Sequence, residues 1–207
     1  MPSSSAEPFD AVVLAGARSE RLGGVDKAMV EVGGRALLDR VLDGLAEAAR
    51  VVVVGPQRPV PSRTPPPRWC AEEPSGGGPV AAFAAGLGET VAGKVVLLAA
   101  DLPFVAAAVP ALVSALGDGA DVAMLVDDRG RANFLAGAWR RSSVLARLAE
   151  LGPPAGQSMR HLLAGLEVTP VNDPDNWGFD CDTWDAVETA RTLAADRPTD
   201  RPKGPHA

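Results

Sequence analysis

The sequence predicts an α/β fold, a three-layer sandwich around a mostly parallel sheet. Short runs of Val, Leu and Ala alternate along the chain with segments whose apolar residues recur at helical spacing. The apolar runs are continuous rather than alternating, which marks strands covered on both faces. The chain has 207 residues and 46% hydrophobic content, the size of one large domain with a substantial core.

In chain order, strands are expected at 9–14, 51–55, 94–99 and 121–126. Each is rich in Val, Leu or Ala. Helices are expected at 36–48, 80–90, 106–116, 142–151, 158–164 and 183–195. In the first of these, Leu37, Leu38, Val41, Leu42 and Leu45 fall at helical spacing. Residues 133–139 and 167–171 read as extra strands, an antiparallel excursion from the sheet. The stretch 56–67 is too Pro-rich for regular structure and reads as a surface loop. Residues 1–7 and 197–207 are polar and Pro-rich, and are expected to be disordered tails around a domain at 8–196.

Composition excludes several classes. A net charge of −6 gives no electrostatic basis for non-specific nucleic-acid binding, so any phosphate ligand must be held by local cations. Cys70 and Cys181 form no C-x-x-C pair, which argues against a zinc site or a disulfide framework. The N-terminus lacks the charged and apolar regions of a signal peptide. The longest apolar runs are too short to span a bilayer. A cytoplasmic enzyme is the expectation.

The most informative stretch is 14–27, LAGARSERLGGVDK, directly after the first strand. Its small residues let backbone N–H groups approach an anion, and Arg18, Arg21 and Lys27 supply positive charge. It is not a P-loop, because Lys27 lies between Asp26 and Ala28. It is not the dinucleotide fingerprint, because Ala17 and Arg18 follow Gly16. It resembles the L-A-G-G-x-S-x-R-[ML]-G-x-D-K signature of the nucleotidyltransferases, especially the molybdenum cofactor guanylyltransferases. Leu14, Ala15, Gly16, Ser19, Arg21, Leu22, Gly24, Asp26 and Lys27 match, and Ala17 replaces the second Gly.

Three further segments support the resemblance. Asp101-Leu102-Pro103-Phe104 follows the strand at 94–99, where a carboxylate at the C-terminal edge of a parallel sheet faces the ligand crevice. Its hard oxygen suits Mg²⁺, and the alternative is a helix N-cap. D-x-P-F matches the family's metal-binding motif. Residues 72–80, EEPSGGGPV, read as a flexible turn or as a ligand loop leading into a helix. The family has D-x-x-P-G-x-G-P-L-x-G here and places nucleobase and ribose against it. Gly76, Gly78 and Pro79 match, while Glu72 stands for Asp and Ser75 for Pro. Asp180-Cys181-Asp182-Thr183 puts two carboxylates on one face of an extended segment, or caps the last helix. The family's N-x-N-T or D-x-D-T completes its metal site here, which points to Asp182 first and Asp180 second.

The resemblance implies a Rossmann-like nucleotidyltransferase that uses Mg²⁺ on Asp101 and Asp182. Its reaction would carry GMP from GTP to molybdopterin or its molybdenum form, giving the guanine dinucleotide cofactor and pyrophosphate. Leu14, Ala15, Gly16, Ala17, Arg18, Ser19, Lys27, Glu72, Gly76, Gly78 and Asp101 would bind nucleotide. Lys27, Arg21 and Asp101 would carry catalysis. Asn133 and Arg160 lie where relatives meet the acceptor. Arg160 belongs to a segment, with Ser158 and His161, similar to the family's G-x-S-x-R-x-L-L; a solvated helix face is the alternative. The four Trp residues are scattered and read as packing. Glu72 keeps open cytidylyl transfer to molybdopterin or nucleotidyl transfer to a sugar phosphate. A non-catalytic nucleotide-binding module is the alternative of another class. The oligomeric state is not addressed by any motif.

Overall fold

The computed structural model describes residues 7–16, 23–63 and 65–197, together with the backbone of 18 and 19. Strand β1 (Phe9–Leu14) leads into a hairpin of β2 (Arg18–Ser19) and β3 (Val25–Asp26). A second hairpin, β4 (Glu31–Val32) and β5 (Arg35–Ala36), precedes helix α1 (Leu37–Asp43). There follow β6 (Arg50–Val54), β7 (Arg68–Cys70), α2 (Pro79–Gly88), β8 (Lys94–Ala99), α3 (Val109–Ala115), β9 (Val122–Val126), β10 (Ala132–Arg140), α4 (Arg141–Leu151), α5 (Met159–Leu163), β11 (Val168–Asn172) and α6 (Trp184–Asp196).

Seven of these strands form one sheet in the order β11-β9-β10-β8-β1-β6-β7. Every neighbouring pair is parallel except those of β10, which runs antiparallel to both β8 and β9. The expected antiparallel excursion is therefore β10 alone. It returns from β9 through a turn in which the Asp127 carboxylate accepts the N–H groups of Arg129 and Arg131 at 2.9 and 2.8 Å. β11, expected with it, instead lies parallel to β9 at the sheet edge.

The three layers follow from alternation along the strands. Ala11 and Val13 of β1 face Leu38, Val41, Leu45 and Leu112, from α1, the turn after it and α3. Val12 faces Val80, Phe83 and Leu87 of α2, with Val144 of α4 and Leu162 of α5 further along the same face. Trp139, fully buried, meets Phe83 edge-on at 5.2 Å between ring centroids. A third cluster joins α6 to the second hairpin through Val32, Leu37, Phe104, Cys181, Val187 and Ala190. At the ends of the described chain, Glu7 pairs with Lys94 at 3.3 Å and the Arg197 guanidinium lies 3.8 Å from the Phe104 ring centroid. The remainder of both expected tails, 1–6 and 198–207, lies outside the described residues.

Two helices are shorter than their apolar spacing suggests. α1 stops at Asp43, and Gly44 at its C-cap is glycine because it abuts Ala106, whose Cα lies only 2.4 Å from where a Gly44 Cβ would sit. The carbonyls of Leu42 and Leu45 then accept from Arg63 at 2.9 and 2.8 Å. α3 begins only at Val109, preceded by a 3₁₀ turn over Val105–Ala108, because Pro110 is tolerated only in the first turn of an α-helix. The sequence reading missed the two-residue strands β2–β5 and, in the main sheet, β7, which is three residues long and directly follows Pro65-Pro66-Pro67.

α2 seats on the sheet through Gly86, whose added Cβ would fall 2.4 Å from Val12 Cγ1 and 3.0 Å from Val54 Cγ2. Gly86→Ala should therefore destabilise the protein by about 1–3 kcal/mol, overpacking outweighing the gain in helix propensity. Urea unfolding measures this. A variant as stable as its parent would mean that α2 moves away from β1 without cost.

Candidate active site

The parallel strands β1, β6 and β8 end in register at Leu14, Val54 and Ala99. The chain leaves β1 for β6 on one side and later returns to β8 on the other, the switch in strand order at which open α/β sheets bind ligands. A cleft of about 840 Å³ opens there. It is lined by all three strand ends, both glycine-bearing loops, Lys27 and Asp101.

The first loop starts with the Ala15 N–H donating to Val54 O at 2.8 Å, which continues the β1–β6 pairing by one residue. Gly55 backs this loop so closely that a Cβ would lie 2.8 Å from the Ala15 carbonyl carbon and the Gly16 nitrogen. β2 and β3 then pair with Arg18 opposite Asp26. Gly23 and Gly24, in the turn between them, have φ of +73° and +77°, which suits glycine. Lys27 opens a 3₁₀ turn and is 7% exposed. Of the expected nucleotide contacts, Ala17 and Arg21 and the side chains of Arg18 and Ser19 lie outside the described residues.

Lys27 Nζ pairs with Asp101 Oδ2 and with Asp182 Oδ1. Burial alone would lower the Lys27 pKa. Attraction and hydrogen bonding to Asp101, then Asp182, outweigh it and raise the pKa above the ordinary lysine value. Asp101 does not cap a helix, since the turn after it has Phe104 at its N-cap position. Its loop is fixed by Arg40, which donates to Pro103 O at 3.1 Å and to Val32 O at 3.2 Å, and by the Cys181 N–H, which donates to Asp101 O at 3.2 Å. Asp101 Oδ1 is buried without a hydrogen-bond partner among the described residues.

The segment before α6 divides its tasks residue by residue. Thr183 caps the helix, its hydroxyl accepting from the Ala186 N–H at 3.2 Å, so Asp182 is not needed as the cap. Cys181 is fully buried, and burial followed by repulsion from Asp101 pushes its thiol up to about 12. Cys70 is likewise a free thiol. The Asp180 carboxyl is pushed up by burial, then by the carboxylates of Asp182 and Asp101. No group of three His, Cys, Asp or Glu among the described residues is arranged to hold a metal. The Asp101–Asp182 pair with its unpartnered oxygen nevertheless fits a hard divalent cation such as Mg²⁺, which takes one or two carboxylates and fills the remaining positions with water and phosphate oxygen.

The second glycine-bearing loop is ordered from within. Glu72 Oε1 accepts the Gly76 N–H at 2.9 Å, while Glu72 Oε2 is buried without a hydrogen-bond partner among the described residues. Gly76 and Gly78 have φ of +79° and +90°, so both glycines are required by the backbone. Asn133 is engaged locally: Oδ1 accepts from the Leu135 N–H at 3.0 Å and Nδ2 donates to Gly178 O at 3.1 Å. Arg160 stands apart from the Lys27 cluster, on a second cleft of about 670 Å³ that shares Gly76, Gly78, Pro79 and Leu135 with the first. Ser158 caps α5 through the His161 N–H. Trp139 is buried in the cluster under α2, Trp69 and Trp177 pack against the cluster on the opposite face of the sheet, and Trp184 is 47% exposed beside Thr183. Sequence reading missed Gly55, Pro56, Ala71 and Leu135 as cleft residues. Only Gly55, at the end of a strand parallel to β1, carried a signal.

The chain matches the family model described as MobA-like NTP transferase domain over residues 11–171, and it belongs to that family. It is 32% identical over 124 residues to the protein named "Probable molybdenum cofactor guanylyltransferase" of Methanosarcina acetivorans, covering 55% of each chain. It is 50% identical over 46 residues, 22% of each chain, to the molybdenum cofactor guanylyltransferase of Rhodopseudomonas palustris. The chain spans about half the length or less of these curated relatives. Among solved structures, it shares the fold of molybdopterin-guanine dinucleotide biosynthesis protein A from Archaeoglobus fulgidus (TM-score 0.67, 21% identity, 91% of this chain and 100% of that one). It also shares that of 2-C-methyl-D-erythritol 4-phosphate cytidylyltransferase from Thermus thermophilus (TM-score 0.65, 19% identity, 89% and 98%). No helix among the described residues is long and apolar enough to cross a membrane.

The raised Lys27 pKa carries a stability prediction. A group protonated more tightly in the folded state stabilises fully below its unfolded pKa, about 10.4 for lysine, and loses that contribution as pH rises through the folded value. Urea stability should thus fall on going above about pH 10.4, and Lys27→Met should flatten that alkaline limb. Equal slopes for parent and variant would show that Lys27 is not the group responsible.

Proposed function

We propose that this nucleotidyltransferase-family chain transfers GMP from GTP to the terminal phosphate of molybdopterin, or of its molybdenum form, and releases pyrophosphate. The observation that carries the reading is the meeting of Lys27, Asp101 and Asp182 at the mouth of a cleft lined by both glycine-bearing loops. The names of the relatives and the match to the guanylyltransferase signature support the choice of nucleotide and acceptor. The proposed setting is the cytoplasm, where GTP is available.

The chemistry asks mainly for positioning and charge neutralisation. An acceptor phosphate oxygen forms a bond to the α-phosphorus of GTP as the bond to the β-phosphate oxygen breaks, and pyrophosphate carries away the electron pair. The acceptor is already ionised near neutral pH, since a phosphomonoester has its second pKa at about 6, so no general base is needed. In keeping with this, His161 is exposed on α5, its ring near the Gln157 side chain at 3.3 Å. The Ala15 N–H is held by Val54 O, so the amide assigned to the phosphates is that of Gly16, and Lys27 donates to the oxygen on which charge accumulates at the transition state. Arg18 and Arg21 are assigned to the β- and γ-phosphates. Asp101 and Asp182 would hold Mg²⁺, which when bound neutralises phosphate oxygens and makes the α-phosphorus more electrophilic. The base and ribose are assigned to the loop carrying Glu72, Gly76 and Gly78, and the acceptor to the neighbouring cleft with Arg160.

Asp101→Asn keeps the shape of the side chain and removes an anionic ligand. It should lower kcat on the order of 10²-fold or more with the fold intact. Turnover at the parental rate in saturating Mg²⁺, with unchanged urea stability, would remove Asp101 from the mechanism.

GTP should exceed CTP in kcat/KM with molybdopterin as acceptor by about 10²-fold or more, because a site that pairs one polar edge leaves groups unpaired with the other base. Glu72 is the residue that bears on this choice: it replaces the family's Asp and keeps one buried oxygen without a partner among the described residues. Preference for CTP would leave fold and mechanism standing and change the product. Reaction only with sugar phosphates would overturn the acceptor.

A further inference from the structure

The segment at 56–67, with nothing but prolines to suggest its role, is tied to the protein by two arginines. Arg63 closes the carbonyl end of α1. Arg58, only 8% exposed at its side chain, donates from Nε to Asp26 Oδ2 at 2.6 Å and from Nη1 to Pro56 O at 2.9 Å. Asp26 is the last residue of β3 and immediately precedes Lys27. We propose that Arg58 is a positioning residue of the nucleotide site: it fixes and neutralises Asp26 at the base of the β2–β3 hairpin, and so sets the backbone from which Lys27 enters the cleft.

Four observations converge on this. The connection leaving β6 touches the first loop at both ends, through Gly55 against Ala15 and Gly16 at its start and Arg58 on Asp26 at its close. Pro56, whose carbonyl Arg58 also holds, lines the cleft itself. Asp26 makes no capping hydrogen bond to the 3₁₀ turn that Lys27 opens, although it occupies the N-cap position, so its carboxylate is committed to Arg58 instead. Asp26 Oδ1 is buried without a partner among the described residues. The Asp26 side chain is 44% exposed, so water compensates part of its charge, but removing Arg58 would leave a carboxylate without its cation one residue from Lys27, in a loop whose task under the reading above is to receive a triphosphate. The cost is electrostatic as well as geometric, and this separates the proposal from simple packing of a loop.

The proposal rests on the nucleotide-transfer reading, and the test keeps the two apart. Arg58→Met should weaken Mg·GTP binding by about tenfold or more in calorimetry and raise the KM for GTP more than it lowers kcat. Asp26→Asn added to Arg58→Met should recover most of the lost affinity, because the stranded charge is then gone. Arg58→Lys should recover part, supplying charge without the second donor to Pro56. A double variant no tighter than Arg58→Met, or an Arg58→Met protein that binds as its parent does, overturns the proposal. If the parent itself binds no nucleotide, the functional reading fails. Amide hydrogen exchange at residues 24–28 without nucleotide then decides the brace: faster exchange in Arg58→Met supports it and unchanged exchange overturns it. Should Arg58→Met not fold, Arg58→Lys carries both measurements.

Discussion

The structure depends on a lysine ammonium buried between two carboxylates that lie far apart in the chain. Removing an ammonium from water is unfavourable by several kcal/mol unless it is paired. Lys27 is 8% exposed at its side chain, Asp101 19% and Asp182 48%. The sheltered Asp101 therefore contributes most of the compensation, while solvent screens the share of Asp182. The pair brings together the loop after β1, the loop after β8 and the segment before α6.

Much of the third hydrophobic cluster serves this convergence. Phe104 belongs to the Asp101 loop and Cys181 to the Asp182 segment, and both pack with Leu37 of α1 and Val187 of α6. Arg40 reaches through from α1 to the carbonyl of Pro103, and Thr183 takes over the helix cap. Each device leaves a carboxylate where hydrophobic packing alone would not hold it. The apolar side chain of Cys181 anchors the strand-like segment, and Asp180 and Asp182, on either side of it, are kept at the polar edge.

How much of this was legible in the sequence follows from the range of the interactions involved. The central strands were readable because burial on both faces writes continuous Val and Leu runs, and β1 and β8 fall at the expected residues. The segments carrying Lys27, Asp101 and Asp182 were readable because loops at strand ends concentrate residue types that packing does not ask for. What escaped was set by contacts between distant parts of the chain. Gly44, at the C-cap of α1, is required by its contact with Ala106, and nothing near Gly44 records Ala106. β7 is strand only because β6 offers it an edge. Arg58 and Arg63 lie in a stretch read only as a Pro-rich surface loop, and their partners Asp26, Leu42 and Leu45 lie 32, 21 and 18 residues away. The direction of β11 depends on its neighbour β9 and not on its own residues.

The same contrast bears on how the site is built. Its chemistry-bearing residues stand on loops, yet the described parts of these loops are tied to rigid elements. The Ala15–Gly16 segment hydrogen-bonds to Val54 O at the end of β6. The Gly76 loop closes on Glu72 and runs into α2, which Gly86 seats directly on β1. Asn133 fastens β10 to Gly178, whose N–H, with that of Trp177, is bound by the Asp173 carboxylate at 2.9 and 2.6 Å. The proposed transfer, which needs no general base, still needs its phosphorus, its attacking oxygen and its neutralising charges in line to within a fraction of an ångström. Loops that ended in flexible tethers would lose that alignment to conformational entropy. For the described loop residues the entropy is removed during folding, by contacts that make no demand on a ligand, so under the proposed reaction binding energy from the nucleotide can go to the transition state rather than to ordering those residues.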